Sequence, residues 1–280
     1  MISIVTDSTA DIPIPQAEEL GITIVPLTVF FGDKSYLDDI ELDNAQFYTM
    51  LQNSKELPRT SQPSPAAFQE AYTRLVKEGV DGILSVHLSG KLSGTYQSAC
   101  TARDMLPDEI KKVPIDVIDS QSVSAGMGYA IQRAAQEARA GKDLEEIKAH
   151  LLNCLERTRI LAVLDTLEWL RRGGRIGGAR AFLGNMLSVK PVVSLKGGEV
   201  IPIEQPRTRS KAYARVAQLF NEMGPSEHIS IVESNEEVGQ QLAEALKTVY
   251  NKDIEHYKLG GVLGTHTGPG TVGACIVTEQ

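Results

Sequence analysis

The sequence predicts an α/β protein of two lobes, with mostly parallel sheets flanked by helices and a crevice where the loops after the strands converge. Three observations predict it. Short apolar runs alternate with segments of helical spacing along the whole chain, the pattern of strands joined by crossover helices. The alternation pauses at ARAGKD (138–143) and then restarts, which divides the chain into lobes of about 1–158 and 159–280 that together make one domain of about 2–279. Small polar loops follow the strands, as they do where an open α/β sheet builds a crevice at the carboxyl ends of its strands.

The elements follow in order. ISIVTD (2–7) is a short apolar run ending in an acid, as a buried strand would be. Pro15 and AEEL, stopped by Gly21, read as a short helix. ITIVPLTVFF (22–31) reads as a strand. Asp43 caps a helix that buries Phe47, Met50 and Leu51 at spacings i, i+3, i+4. Ser64 at the cap, Pro65 at the first helical position and Gly79 at the end bound a helix with Phe68, Tyr72, Leu75 and Val76 on one face. VDGILSV (80–86) is a strand, followed by a helix from about Gly94 to Met105. VPIDVID (113–119) is the next strand, and SQSVSAGMG leads into another helix.

In the second half, a helix over 143–157 precedes the strand ILAVLD (160–165) and the helix TLEWLRRGG. A strand pair turns at KGG (196–198). A helix over 210–223, the strand HISIVES (228–234), a helix over 236–250 and the strand GACIVTE complete the pattern.

Composition narrows the function. The 280 residues carry 42% hydrophobic and 23% charged residues, an ordinary globular balance. A net charge of -8 argues against non-specific nucleic-acid binding. Cys100, Cys154 and Cys275 are odd in number, far apart and without a CxxC, so reduced thiols are expected rather than a zinc or disulfide framework. MISIVTDSTAD has neither a basic start nor the apolar stretch of a signal peptide, and no run approaches the roughly 18 apolar residues of a membrane span. These features lead us to expect a soluble cytoplasmic protein.

Five loops share one chemistry: DSTAD (7–11), RTSQPSP (59–65), HLSGKLSGT (87–95), DSQSVSAG (119–126) and LGTHTGPGTVG (263–273). They are rich in hydroxyls and glycines and poor in lysine. That suits an anion held by hydroxyl donors, free N–H groups and a helix N-terminus, although the same residues serve ordinary turns. A nucleophile reading takes Ser93 with His266 and Asp7 or Asp119, since triads depend on geometry rather than order. No G-x-S-x-G elbow supports it. G-x-x-x-x-G-K-[ST] does not occur, and RRGGRIGGAR (171–180) lacks the G-x-G-x-x-G fingerprint. His266 lies among threonines and glycines rather than on an apolar helix face, and an imidazole there can serve an anion. It has no second ligand at metal spacing, so no metal is expected.

DSTAD, TSQPSP, LSGKLSGTYQSA, LEWLRRGGRIG, KPVV and THTGPGTVG, in that order and across nearly the whole chain, resemble the DegV family of bacterial fatty-acid-binding proteins. The resemblance implies a lipid carrier without catalytic residues, similar to the binding subunit of fatty-acid kinase. Such a protein takes no cofactor. It holds one long-chain fatty acid such as palmitate, stearate or oleate, presents the carboxylate to a partner kinase for acyl-phosphate formation in phospholipid metabolism, and exchanges lipid at the membrane surface. By motif match, Thr60 and Ser93 would hold the carboxylate with His266 close by, and Ser61, Gly94 and Thr95 are second choices. Arg175, Arg207 and Arg209 resemble basic positions outside the acyl pocket that would meet the kinase or phosphate. Ser93 then reads as a hydrogen-bond donor at a helix N-terminus. A serine hydrolase or another small-acid enzyme using Ser93 and His266 is the alternative.

Overall fold

The structure, a computed structural model, describes residues 1–185 and 189–279. The chain opens with β1 (Ile2–Asp7), a 3-10 turn over Ser8–Ala10, α1 (Ile14–Leu20) and β2 (Ile22–Val25). Next come β3 (Thr28–Phe31), β4 (Lys34–Leu37), α2 (Asn44–Asn53) and β5 (Arg59–Ser61). The first half continues through α3 (Pro65–Lys77), β6 (Gly82–His87), α4 (Thr95–Asp104), β7 (Ile115–Asp119), α5 (Ala125–Arg139) and α6 (Leu144–Arg157). The second half holds β8 (Thr158–Val163), α7 (Glu168–Arg172), a 3-10 segment over Gly177–Asn185, β9 (Val192–Lys196) and β10 (Glu199–Glu204). It ends with α8 (Arg209–Glu222), β11 (Ser226–Glu233), α9 (Glu236–Leu246), β12 (Glu255–Lys258), α10 (Gly261–Thr267) and β13 (Val272–Thr278).

Local chemistry sets the helix starts. Asp43 and Gln46 form a reciprocal capping box on α2, while Ser64 accepts from Ala67 N with Pro65 in the first turn of α3. Asp143 caps α6 by accepting from Glu146 N.

The first sheet, in order β2-β1-β6-β7, is wholly parallel. All six residues of β6 are buried, because helices cover both faces, and its two polar side chains, Ser85 and His87, are paired inside the core. Val5, Ile83, Ile115 and Val117 face α3 and α4, while Ile4, Leu84 and Val86 face α5 and α6.

The second sheet runs β10-β9-β8-β13-β11-β12. The α/β class stands, but this sheet departs from the parallel pairing expected of it: only β11 and β12 are parallel, and the other pairings are antiparallel. Two features cause this. Gly197 and Gly198 both have positive φ and close a two-residue hairpin between β9 and β10. The last strand, β13, inserts between β8 and β11 and runs against both. Helices α8 and α9 cover one face, where Val216, Phe220 and Leu242 meet Leu161, Val163 and Ile231.

A third sheet, β4-β3-β5, is small and antiparallel. It arises because ITIVPLTVFF is two strands. Pro26, which has no N–H for a ladder, stands between the end of β2 and the start of β3, and the halves join different sheets. Helix α5 bridges the lobes, touching β1 on one side and β8, β11 and β13 on the other. Helix α10, from the C-terminal half, packs on α2, β3 and β5, with Val262 in one cluster with Leu27, Val29, Phe47 and Tyr48.

Candidate functional site

A cavity of about 130 Å³ lies between the lobes. Strand register explains its apolar wall. Ala162 pairs with Val193 and Leu195 with Val200, so Ile160, Ala162, Val193, Leu195 and Val200 share the face of the second sheet that looks toward the first lobe. All five line the cavity. Their alternates Leu161, Val163 and Val192 face the α8–α9 core. Leu88 and Leu92 close the cavity from the loop after β6, and Val262 and Leu263 from α10.

The polar side chains lining it are Thr60, Gln62, Ser93, Arg175, Ser194, His266 and Thr267. Strand β5 brings Thr60 opposite Val29, and α10 brings His266 to Thr60: Thr60 Oγ1 lies 2.8 Å from His266 Nε2. Burial, reinforced by the nearby Arg175 guanidinium, holds the imidazole down at about 4, so it is neutral at pH 7. Its Nδ1 is buried without a partner, against the backbone of Gly173, where an added Cβ would lie 2.2 Å from that nitrogen. An unpaired acceptor is better tolerated there than an unpaired N–H. The favoured tautomer therefore carries its proton on Nε2 and donates to Thr60 Oγ1. This frees the Thr60 hydroxyl proton for an acceptor in the cavity.

Ser93 is positioned by the turn entering α4. Its N–H donates to Ser89 O at 3.1 Å, its Oγ lies 2.9 Å from Thr95 Oγ1, and Thr95 N donates to Ser93 Oγ at 3.3 Å. The two Ser-Gly pairs of LSGKLSG therefore differ in role. Ser89 is fully buried and donates to Gly198 O at 2.7 Å, tying the β9–β10 turn to the first lobe. Ser93 lines the cavity.

The remaining expected residues divide. Gly94 and Thr95 stand behind Ser93 rather than in the cavity wall. The amide of Gln62 packs over Gly94, where an added Cβ would meet Gln62 Nε2 at 2.6 Å. Ser61 is exposed and donates to Gln62 O. Arg175, expected outside the pocket, lines it instead; its Nε donates to Leu92 O at 3.0 Å and its Nη1 to Gly173 O at 2.6 Å. Gly174, with φ +74, lets the chain turn back so that this side chain reaches the cavity. Arg207 is exposed. Arg209 is held by Asp165, with Nη2 2.8 and 2.7 Å from its two oxygens and Lys190 on the same carboxylate. It is a structural tie rather than a free cation.

A Ser93–His266–Asp triad is not assembled. His266 is bonded to Thr60 and has no acid on Nδ1. Asp7 instead accepts from the Leu88 and Thr9 amides and lies 3.0 Å from His87 Nδ1, while His87 Nε2 lies 2.7 Å from Ser85 Oγ. That Asp7–His87–Ser85 chain ends on Tyr72 and is sealed in the core, with Ser85 and His87 at 0% exposure. It is a buried structural network. Asp119 serves the Gly90 and Gln121 amides. Among the described residues no cluster of three His, Cys, Asp or Glu could hold a metal.

Sequence reasoning missed a second buried group at the start of α10. Asp38 accepts from Val262 N and Ser8 Oγ, and Asp11 accepts from Gly260 N and Ser124 Oγ. Burial, then the charge of Asp39, pushes Asp38 up to about 7, and burial, then Asp43, pushes Asp39 up to about 6. The acidic pair of SYLDDIEL lies among other charged residues, Asp33, Lys34 and Glu41, so nothing local marked Asp38 as buried.

Fold and site together define a two-lobed α/β protein with a mostly apolar interlobe cavity and hydroxyl, imidazole and guanidinium groups in its wall. Residues 1–279 match the family model described as "Uncharacterised protein, DegV family", and the chain belongs to the DegV family. A DegV domain-containing protein of Halalkalibacterium halodurans is 38% identical over 100% of this chain and 99% of its own. Among solved structures, a DegV family protein from Thermus thermophilus described for its fatty-acid binding superposes with a TM-score of 0.90 at 35% identity, covering 99% of both chains. A stearic acid-binding protein from Eubacterium ventriosum superposes at 0.91 with 25% identity, covering 99% of this chain and 98% of its own.

Proposed function

We propose that this protein binds a single long-chain fatty acid, with its carboxylate at Thr60, Ser93 and His266 and its tail along the Ile160–Val200 sheet face. The observation that carries the reading is the Thr60–His266 pair in the wall of a mostly apolar cavity, with Ser93 and Arg175 in the same wall. A carboxylate leaving water needs several donors. The Thr60 and Ser93 hydroxyls supply two, and the guanidinium of Arg175 adds favourable charge. The family relatives described as binding fatty acids support the same ligand class.

The cavity, about 130 Å³, is smaller than the roughly 300–1,000 Å³ of a pocket for a drug-sized ligand. Seating a whole acyl chain therefore requires the lining side chains to move. We further propose that the protein has no catalysis of its own and presents the carboxylate to a partner kinase for acyl-phosphate formation. Arg207, exposed and outside the cavity wall, contributes to that docking. Exchange with a membrane surface would be transient contact, since no helix of the described residues is long and apolar enough to cross a membrane. The cytoplasm is the compartment this role requires.

The test is solvent extraction of protein purified under native conditions, followed by mass spectrometry, together with titration of delipidated protein with palmitate and oleate. The reading expects a stoichiometric fatty acid in the extract or saturable one-to-one binding. A clean extract and no binding of either acid would overturn it.

A further inference from the structure

Helix α10, which carries His266, is held at its start by two carboxylates from the first lobe. Its own cap residue, Gly260, has no side chain to offer the first turn, whose N–H groups lack acceptors within the helix. Asp11 Oδ1 accepts from Gly260 N at 3.0 Å and Asp38 Oδ1 from Val262 N at 3.2 Å, across 249 and 224 positions of the chain. Both acids are buried, at 4% and 1% exposure, and each holds a serine hydroxyl on its other oxygen, Ser124 on Asp11 and Ser8 on Asp38. Beyond this turn α10 is pressed onto α2. An added Cβ would lie 2.9 Å from the Phe47 ring at Gly261 and 2.6 Å from it at Gly264. Close packing along one side and two carboxylates at one end therefore fix where His266 sits.

The mount is crowded with like charge. An added Cβ on Gly260 would lie 2.9, 3.4 and 3.6 Å from oxygens of Asp11, Asp39 and Asp38. Asp38 faces Asp11 from the loop before α1, Asp39 beside it and Tyr48 from α2, with Asp43 next to Asp39. Among the described residues no cation pairs with Asp11, Asp38 or Asp39. The charged group beside His266 is Arg175, which keeps its charge throughout the neutral range. Of the four non-glycine residues with positive φ among the described residues, Asp11, Asp39 and Ser124 lie at this mount. Such backbone persists only where its surroundings hold it.

We propose that Asp38 and Asp11 are positioning residues of the fatty-acid site: through α10 they seat His266 against Thr60, and the ionisation of their acidic cluster is transmitted along that helix to the bound carboxylate. The inference rests on the fatty-acid reading above. Asp38 can accept from Val262 N in either protonation state, so the mount survives ionisation. The added charge, however, repels its acidic neighbours and an anion at His266, four helical residues or about 6 Å of rise beyond Val262. Asp38 and Asp39 take up that charge between about pH 6 and 7. The protein therefore holds fatty acid more tightly below this range than above it.

The experiment follows the His266 ring by nitrogen NMR in histidine-labelled, delipidated protein, with the signals assigned from His266→Gln, and titrates the same preparations with palmitate. In the wild-type protein the ring signals should shift between pH 5 and 8 with a midpoint near that of Asp38, about 7, well above the ring's own titration near 4. That shift should be absent in Asp38→Asn. Wild-type palmitate affinity, taken relative to Asp38→Asn at each pH so that the acid's own ionisation cancels, should fall about tenfold from pH 6 to 8. At pH 6, Asp38→Ala, which loses the acceptor, should move the ring signals and weaken palmitate binding about tenfold. Asp38→Asn, which keeps an acceptor for Val262 N, should restore both. Ring signals flat from pH 5 to 8, or wild-type signals and affinity in Asp38→Ala, would overturn the inference, and the wild-type titration decides it even where that variant fails to fold. Wild-type protein that binds no palmitate at any pH would overturn the fatty-acid reading, a failure distinct from that of the mount, which the unliganded ring signals decide.

Discussion

Thr60 and His266, separated by 206 positions in the chain, meet at 2.8 Å with the imidazole held neutral by burial. The pair turns a histidine into a fixed support for a hydroxyl donor. Thr60→Val keeps the side-chain shape and removes that donor, and Ser93→Ala removes the second. Each lost charge-assisted hydrogen bond should cost about 1.5–3 kcal/mol, or about ten- to a hundredfold in fatty-acid affinity. Titration with palmitate checks this, with circular dichroism to confirm the fold. Unchanged affinity in both variants would place the carboxylate elsewhere.

Gly173 makes the position of His266 possible. A Cβ there would lie 2.2 Å from Nδ1, and the residue's own φ of -71 is open to any amino acid. Gly173→Ala should therefore displace the ring rather than strain the backbone, lowering fatty-acid affinity while the thermal midpoint changes little. A variant that binds normally would show that His266 needs no fixed position.

The pH dependence of stability has two opposed parts. Asp38 and Asp39 have folded-state pKa values raised from 3.8 to about 7 and 6, so the folded protein holds their protons more tightly than the unfolded chain does. Their contribution is full below about 4 and is lost as pH rises through about 6 to 7. His266 is lowered from 6.5 to about 4, so its contribution is full above 6.5 and is lost as pH falls through about 4. Thermal unfolding between pH 5 and 8 should show Asp38→Asn gaining on wild type as pH rises. His266→Gln should gain on wild type as pH falls below 6.5. Curves parallel to wild type would refute either assignment.

Arg175 and Arg207 should separate. Arg175 lines the cavity and Arg207 is exposed. Arg175→Ala should weaken palmitate binding, and Arg207→Ala should leave it near wild type. With a partner kinase and ATP, Arg207→Ala should lower acyl-phosphate formation in a salt-dependent way, since exposed charges govern encounter. Equal binding losses in the two variants would remove the distinction.

Much of this was legible in the sequence where local chemistry decides. The parallel first sheet and the caps at Asp43 and Ser64 follow from apolar runs and capping residues, while Thr60, Ser93 and His266, which line one cavity, were singled out by the resemblance of their motifs to the DegV family. What was not legible depends on long-range pairing. Nothing local says that β13 inserts between β8 and β11, or that the residues flanking Pro26 join different sheets. Arg175 and Arg209 look alike as basic residues in polar loops, yet one lines the cavity and the other is held by Asp165 across 44 positions. The tail wall was likewise hidden, because Ile160 and Val193 differ from ordinary core only in which face of the sheet they occupy.

The most direct test is a crystal structure of the protein with palmitate bound. The account predicts carboxylate oxygens within about 2.5–3.2 Å of Thr60 Oγ1 and Ser93 Oγ, His266 still bonded to Thr60, and the tail along Ile160, Ala162, Val193 and Leu195. A palmitate bound in the reverse direction, or seated in another part of the molecule, would contradict it.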